Sequence, residues 1–219
     1  MTRPGTPRRL PAASAAALLT LTLGACSTGA VPASAPASSN PSAGPTATRD
    51  VPITSRGVAS IVLDHLSADY ANASAAWVPE HPPERYVGGE FYYDPAEASD
   101  GDLIRVSLWK TDKPQTCATP NEYRSGCVEL QAADGNQVFL AWEVEAPEED
   151  PGLFSVWVNH PGETVYALSA GPVLKGDPRK QTLRFSPEAL RSVVIDERLR
   201  LLTTQDVIDA GQRVERWQK

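Results

Sequence analysis

Between Tyr86 and Leu168 apolar residues return at every second position, and that alternation limits the chain to a sheet with two unlike faces. Ile104, Val106 and Leu108 alternate with Arg105, Ser107 and Trp109, and Val128 and Leu130 alternate with Glu129 and Gln131. Val138, Leu140, Trp142 and Val144 follow, then Phe154, Val156 and Val158, then a run from Thr164 to Leu168. With the aromatic stretch Phe91-Tyr92-Tyr93 this predicts about six strands. Asp134-Gly135 is a hairpin turn sequence between the third and fourth strands. His160-Pro161-Gly162-Glu163 is another between the fifth and sixth. Short links between successive strands predict an antiparallel meander.

On either side of this block the period changes. Val58, Ile61, Val62, Leu66, Tyr70 and Ala73 recur three or four apart, which predicts a helix with Thr54 or Ser55 as its N-cap and the Pro79, Pro82 and Pro83 cluster as its end. After the strands, Ser186-Pro187-Glu188 supplies an N-cap, a proline at the first helical position and an early acid, opening a short helix to about Val194. Thr204 caps a second helix with Asp206 in its first turn, and Val207, Gly211, Val214 and Trp217 fall on one side of it. The expected fold is therefore α+β: an antiparallel sheet of about six strands with an N-terminal helix and two C-terminal helices, in one domain spanning residues 51–219.

Upstream the composition is of another kind. Ser27 to Asp50 is built almost wholly from Ser, Ala, Pro, Thr and Gly and has little to bury, so it reads as a disordered tether. As a flexible coil it would reach ~27 Å, and fully extended ~75 Å. Before it come a basic start (Arg3, Arg8, Arg9) and an apolar run from Leu10 to Leu23 that is short for a membrane span and interrupted by Pro11, Ser14, Thr20 and Thr22. The run closes on Leu23-Gly24-Ala25-Cys26, which resembles the lipobox of bacterial lipoproteins. The resemblance covers only these first 26 residues. It implies a signal peptide over residues 1–25, a diacylglyceryl group on the sulfur of Cys26, and residues 26–50 as lipidated cysteine plus tether. Two acyl chains make a stable anchor where one is marginal. Arginine well above lysine, with abundant alanine and proline, resembles the usage of high-GC Gram-positive bacteria. That places the expected protein on the outer leaflet of the cell membrane, extracytoplasmic and lipid-anchored.

Charge narrows the partners. Removing Arg3, Arg8 and Arg9 from 20 basic and 27 acidic residues leaves 17 against 27, a net −10. Such a surface repels nucleic acid and anionic headgroups, so contact with membrane lipid is expected through the N-terminal anchor alone. With Cys26 taken by lipid, Cys117 and Cys127 remain as an even pair in an oxidising compartment, and a disulfide is expected. Closing that ring would stabilise the fold by ~2.8 kcal/mol on chain-entropy grounds.

No motif announces catalysis. There is no G-x-S-x-G elbow and no S-x-x-K pattern. A serine and histidine brought together only by folding stay open, since triad members are distant in sequence. His65, His81 and His160 are the three histidines and none is within five residues of another, so neither a zinc site nor a cofactor is expected. Glu148-Glu149-Asp150 and the group Asp94, Glu97, Asp100 and Asp102 read as solvated loops.

The sheet's second face is the feature to pursue. If Ile104, Val106, Leu140, Trp142, Val156 and Val158 point to the main core, then Tyr92, Arg105, Trp109, Phe139, Trp157 and Asn159 point away from it. One reading makes these rings a recognition platform. The other makes them a second core, with Trp109 and Trp157 mostly buried under the N-terminal helix or a long loop, because large exposed apolar patches are rare. Two function classes follow. One is a non-catalytic envelope module that binds a protein, wall polymer or small molecule. The other is a surface-anchored hydrolase whose site no sequence motif reveals.

Overall fold

The computed structural model describes residues 48–93, 102–131, 135–146, 151–171 and 173–218. Cys26, the signal, most of the tether, Asp94, Glu97, Asp100, Asp134 and Glu148-Glu149-Asp150 lie outside the described residues. Within them the chain is α+β, with a large antiparallel sheet and three α-helices.

The first strand, β1 (Val51–Pro52), leads into α1 (Ser55–His65). Thr54 is the N-cap: its backbone is extended and its side chain accepts a hydrogen bond from Gly57 N at 3.1 Å. Val58, Ala59, Ile61 and Val62 make the buried stripe. The helix ends at His65, well before the prolines that were expected to end it. Leu66 turns extended while its N–H still reaches Val62 O, and the short polar residues of Ser67-Ala68-Asp69 do not resume the helix. Tyr70 and Ala73 keep helical spacing by coincidence. Tyr70 is buried edge-on against Phe91, and Ala73 lies in a strand, β2 (Asn72–Ala75).

β2 begins the large sheet, followed by β3 (Val87–Tyr92), β4 (Leu103–Lys110), β5 (Gly126–Gln131), β6 (Gln137–Glu143), β7 (Leu153–His160) and β8 (Glu163–Ala170). Their order is β2-β3-β4-β8-β7-β6-β5, antiparallel throughout, so the sheet has seven strands where about six were expected. It is also two meanders rather than one. β4 pairs with β8, and the β4–β5 connection must cross β8, β7 and β6 to reach the far edge. Pro161-Gly162 makes the tight β7–β8 turn, with Gly162 at φ 79°.

α2 (Pro187–Val194) starts as expected, with Ser186 Oγ accepting from Ala189 N. The last strand, β9 (Leu202–Thr203), pairs with β1, and Thr204 then caps α3 (Gln205–Gln212) without a side-chain hydrogen bond. Val214 and Trp217 lie beyond the end of α3, and Trp217 bridges to Ala73 instead. α1 and α2 lie on the sheet and α3 lies on α1, where a methyl group on Gly211 would come within 2.7 Å of the α1 backbone. One continuous core joins Val58, Ile61 and Val62 of α1 and Leu190, Val193 and Val194 of α2 to Phe91, Ile104, Val106, Leu108, Leu140, Val156 and Val165 of the sheet. All three helices are therefore on the same side. Of the two covers expected for the second face, the N-terminal helix is therefore not the one used.

Candidate functional site

The register assembles the second face one residue at a time. Glu90 stands opposite Arg105, Ser107 opposite Tyr166, Trp109 opposite Thr164, Trp157 opposite Tyr166 and Phe139 opposite Trp157. Tyr92, two residues beyond Glu90, shares its side of the strand. The five residues expected on this face, Tyr92, Arg105, Trp109, Phe139 and Trp157, are thus all on it. Tyr86, Trp109, Tyr166, Trp157 and Phe139 form a row of rings across the sheet, with successive centroids 6.4, 5.9, 6.3 and 5.3 Å apart.

Two loops cover this face in place of a helix. The first is the β4–β5 crossover, residues 111–125. Its Gln115 carbonyl accepts from Trp157 Nε1 at 3.0 Å and from Asn159 Nδ2 at 2.7 Å. Cys117 is bonded to Cys127 at the start of β5, with a Cα separation of 5.5 Å, which pins the loop down. Arg124 folds back to donate to the carbonyls of Cys117 and Thr119, and its guanidinium lies 5.9 Å from the Trp157 ring. Phe139 and Trp157 become a second small core beneath this loop, Trp157 with 1 % of its surface exposed. A cavity of about 60 Å³ beside Arg124, Ser155 and Tyr166 is too small for any ligand ring. Burial pushes the Tyr166 phenol up.

The second cover is residues 76–86, and it leaves more open. Tyr86 stacks on Trp109, which is only half-buried, against the expectation for that residue. Tyr86 Oη also reaches Ser107 Oγ at 2.8 Å and the Trp77 carbonyl at 3.2 Å. Gly88 is needed here, since a Cβ would lie 2.8 Å from Ala76 and 2.5 Å from the Val106 carbonyl. Glu90 is buried on this nominally wet face, yet every donor around it converges on its carboxylate. Arg105 Nε reaches Oε1 at 2.6 Å, Trp77 N reaches the same oxygen at 2.9 Å, and Tyr92 Oη reaches Oε2 at 2.8 Å. Burial first, then the bond to Glu90, raises the Tyr92 phenol and keeps it a donor. The Trp77 ring, 6.0 Å from the Arg105 guanidinium, is 61 % exposed. Tyr123, on the other cover, is 72 % exposed.

No family model, no curated protein and no solved structure matches this chain. The site is therefore read from its own geometry.

Glu90, Trp77, Tyr86, Tyr166 and Arg124 were missed at the sequence level. Glu90 was within reach, being two residues before Tyr92 and so on the same face. Trp77 was hidden by the over-long helix. Elsewhere, a cavity of about 640 Å³ between α1 and α3 is bordered by Leu63, Asp64, Tyr70, Arg198, Val207 and Arg216. Its Arg198 is tied to Asp64 at 2.8 Å and to Asp196 at 2.7 Å, and Asp196 also meets His65 Nε2 at 2.8 Å. Burial pushes the Asp196 carboxyl up, but the hydrogen bonds from Arg198 and His65 outweigh it and hold the group at about 2. No serine or threonine hydroxyl bonds His65 or His81 among the described residues. Among the described residues no three His, Cys, Asp or Glu side chains are placed to share a metal ion, and no helix is long and apolar enough to cross a membrane.

Proposed function

We propose that this chain is a lipid-anchored, extracytoplasmic protein of the cell envelope whose α+β domain is a non-catalytic recognition module. The observation that carries the reading is the inequality of the sheet's two faces. The helices all serve one face. The other is served by two loops that present exposed Trp77 and Tyr123 beside a polar and aromatic floor. Aromatic side chains on fixed backbone offer contact area at low entropic cost, which is what a binding surface requires. The Cys117–Cys127 disulfide agrees with an oxidising compartment, and Leu23-Gly24-Ala25-Cys26 supplies the reason to expect a lipid at Cys26.

The module reading is tested with isolated cell walls. The full chain in detergent micelles should co-sediment with them, and Trp77→Ala with Tyr123→Ala should release it, whereas Glu188→Ala on the exposed side of α2 should not. Loss through the α2 change, with none through the loop changes, would refute the assignment of the face. The anchoring is tested separately. Cys26→Ala should move the protein from the membrane fraction to the medium or leave it unprocessed. A mature, unmodified N-terminus elsewhere, seen by mass spectrometry, would overturn it.

A further inference from the structure

Resting on that reading of the second face, we propose that Arg105 and Trp77 form a subsite for an acidic sugar, the guanidinium taking its carboxylate and the indole taking the flat face of its ring. Glu90 is the first support. A buried ion pair is seldom kept for stability, because apolar residues of similar volume usually serve as well or better. What Glu90 does is hold Arg105 by Nε alone. The two terminal amino groups of Arg105 make no bond to the chain among the described residues, and the side chain is 27 % exposed. An arginine held at one nitrogen, with its two terminal amino groups unbonded, is prepared for a planar oxyanion, which it binds through two parallel hydrogen bonds.

Trp77 is the second support. Its backbone is fixed at both ends, N–H to Glu90 and carbonyl to Tyr86, while its ring stands in water. The electron-rich ring face attracts polarised C–H groups, and the flat side of a pyranose presents a set of them. The guanidinium lies 6.0 Å from that ring, so one sugar unit with a carboxylate on or next to its ring can meet both. Charge selects the class further. With a net charge of −10 beyond the signal, the domain repels polyanions, so a phosphate-rich polymer is disfavoured and a single carboxylate within reach of one arginine is favoured. Glu90 partly offsets the charge of Arg105, so affinity for one unit is weak. A domain held near its target by a tether makes up the difference through effective concentration.

The test uses the full chain in detergent micelles, labelled with 5-fluorotryptophan at its five tryptophans. N-acetylmuramic acid, N-acetylglucosamine and N-acetylglucosamine 6-phosphate share a ring and differ in the acid. N-acetylmuramic acid should shift the Trp77 resonance at concentrations at least tenfold below those needed for N-acetylglucosamine. Arg105→Lys should erase that tenfold preference while leaving the Trp157 resonance, a reporter of the fold, in place. Equal potency of the acidic and neutral sugars, or greater potency of the phosphate, overturns the subsite. A silent Trp77 in a protein that still co-sediments with cell walls overturns the subsite and spares the module. A silent Trp77 with no co-sedimentation overturns both.

Discussion

Glu90 sits with 3 % of its surface exposed on the face that alternation marks as wet. Its carboxylate receives three donors, one of them charged, and each would lose a partner if it were removed. The free energies separate a structural from a positioning role. Arg105→Leu leaves a buried carboxylate facing only neutral donors, and should cost about 3 kcal/mol in urea unfolding. Adding Glu90→Gln removes the charge, while the amide can still accept from Trp77 N–H and donate to Tyr92 Oη. The double variant should recover to within about 1 kcal/mol of the natural protein. If it stays as unstable as the single variant, the pair is structural and the positioning role is lost. Alternation sufficed to put Tyr92, Arg105, Trp109, Phe139 and Trp157 on one side. It could not show that Glu90 joins Arg105 to Tyr92, because that needs the β3–β4 register, and a one-residue slip would have reversed it.

At the scale of elements the decisive one is the β4–β5 crossover. Alternation reveals which way a side chain points and leaves open which strand lies beside it, so a single meander was the natural reading of short links. Once β8 takes the place beside β4, the chain has to travel over three strands, and this journey is what buries Phe139 and Trp157. That a long loop and not the N-terminal helix provides the cover is thus a consequence of strand order. Its hold on the sheet comes from the Gln115 carbonyl and the Cys117–Cys127 bond. Replacing both cysteines by serine should lower stability by about 2–3 kcal/mol. It should also raise quenching of Trp157 by acrylamide while the far-ultraviolet circular dichroism of the sheet persists. Unchanged quenching would show that Gln115 holds the loop without the bridge. Helix starts were legible from Thr54, Ser186 and Thr204 because capping is local chemistry. The end of α1 was not, since Tyr70 and Ala73 are buried by neighbours distant in sequence and so imitate a helical stripe.

The folded domain is two-faced because the apolar stripes of α1 and α2 share one side of the sheet while α3 packs on α1. Amphipathicity says that a stripe must be buried and leaves open against what, so the α+β class was legible and the one-sided packing was not. That packing needs ties between elements that do not touch through the sheet, and Asp196 is one of them. It lies just after α2 and binds His65 at the end of α1, while Arg198, two residues on, binds both Asp196 and Asp64 of α1. The net effect of these partners is to hold the Asp196 carboxyl at about 2, below its ordinary 3.8. A carboxyl with a lowered folded pKa binds protons more readily when unfolded, so it contributes stability above pH ~4 that is lost as the pH falls through about 2. The side chain is 11 % exposed, so solvent screens the effect little, and the loss should reach up to about 2 kcal/mol. Urea unfolding of the natural protein should therefore weaken between pH 4 and pH 2, and Asp196→Asn should be less stable at neutral pH yet show a shallower decline over that window. Parallel declines for the two proteins would mean that other carboxylates govern acid unfolding and that the tie from α1 to the α2 exit contributes little.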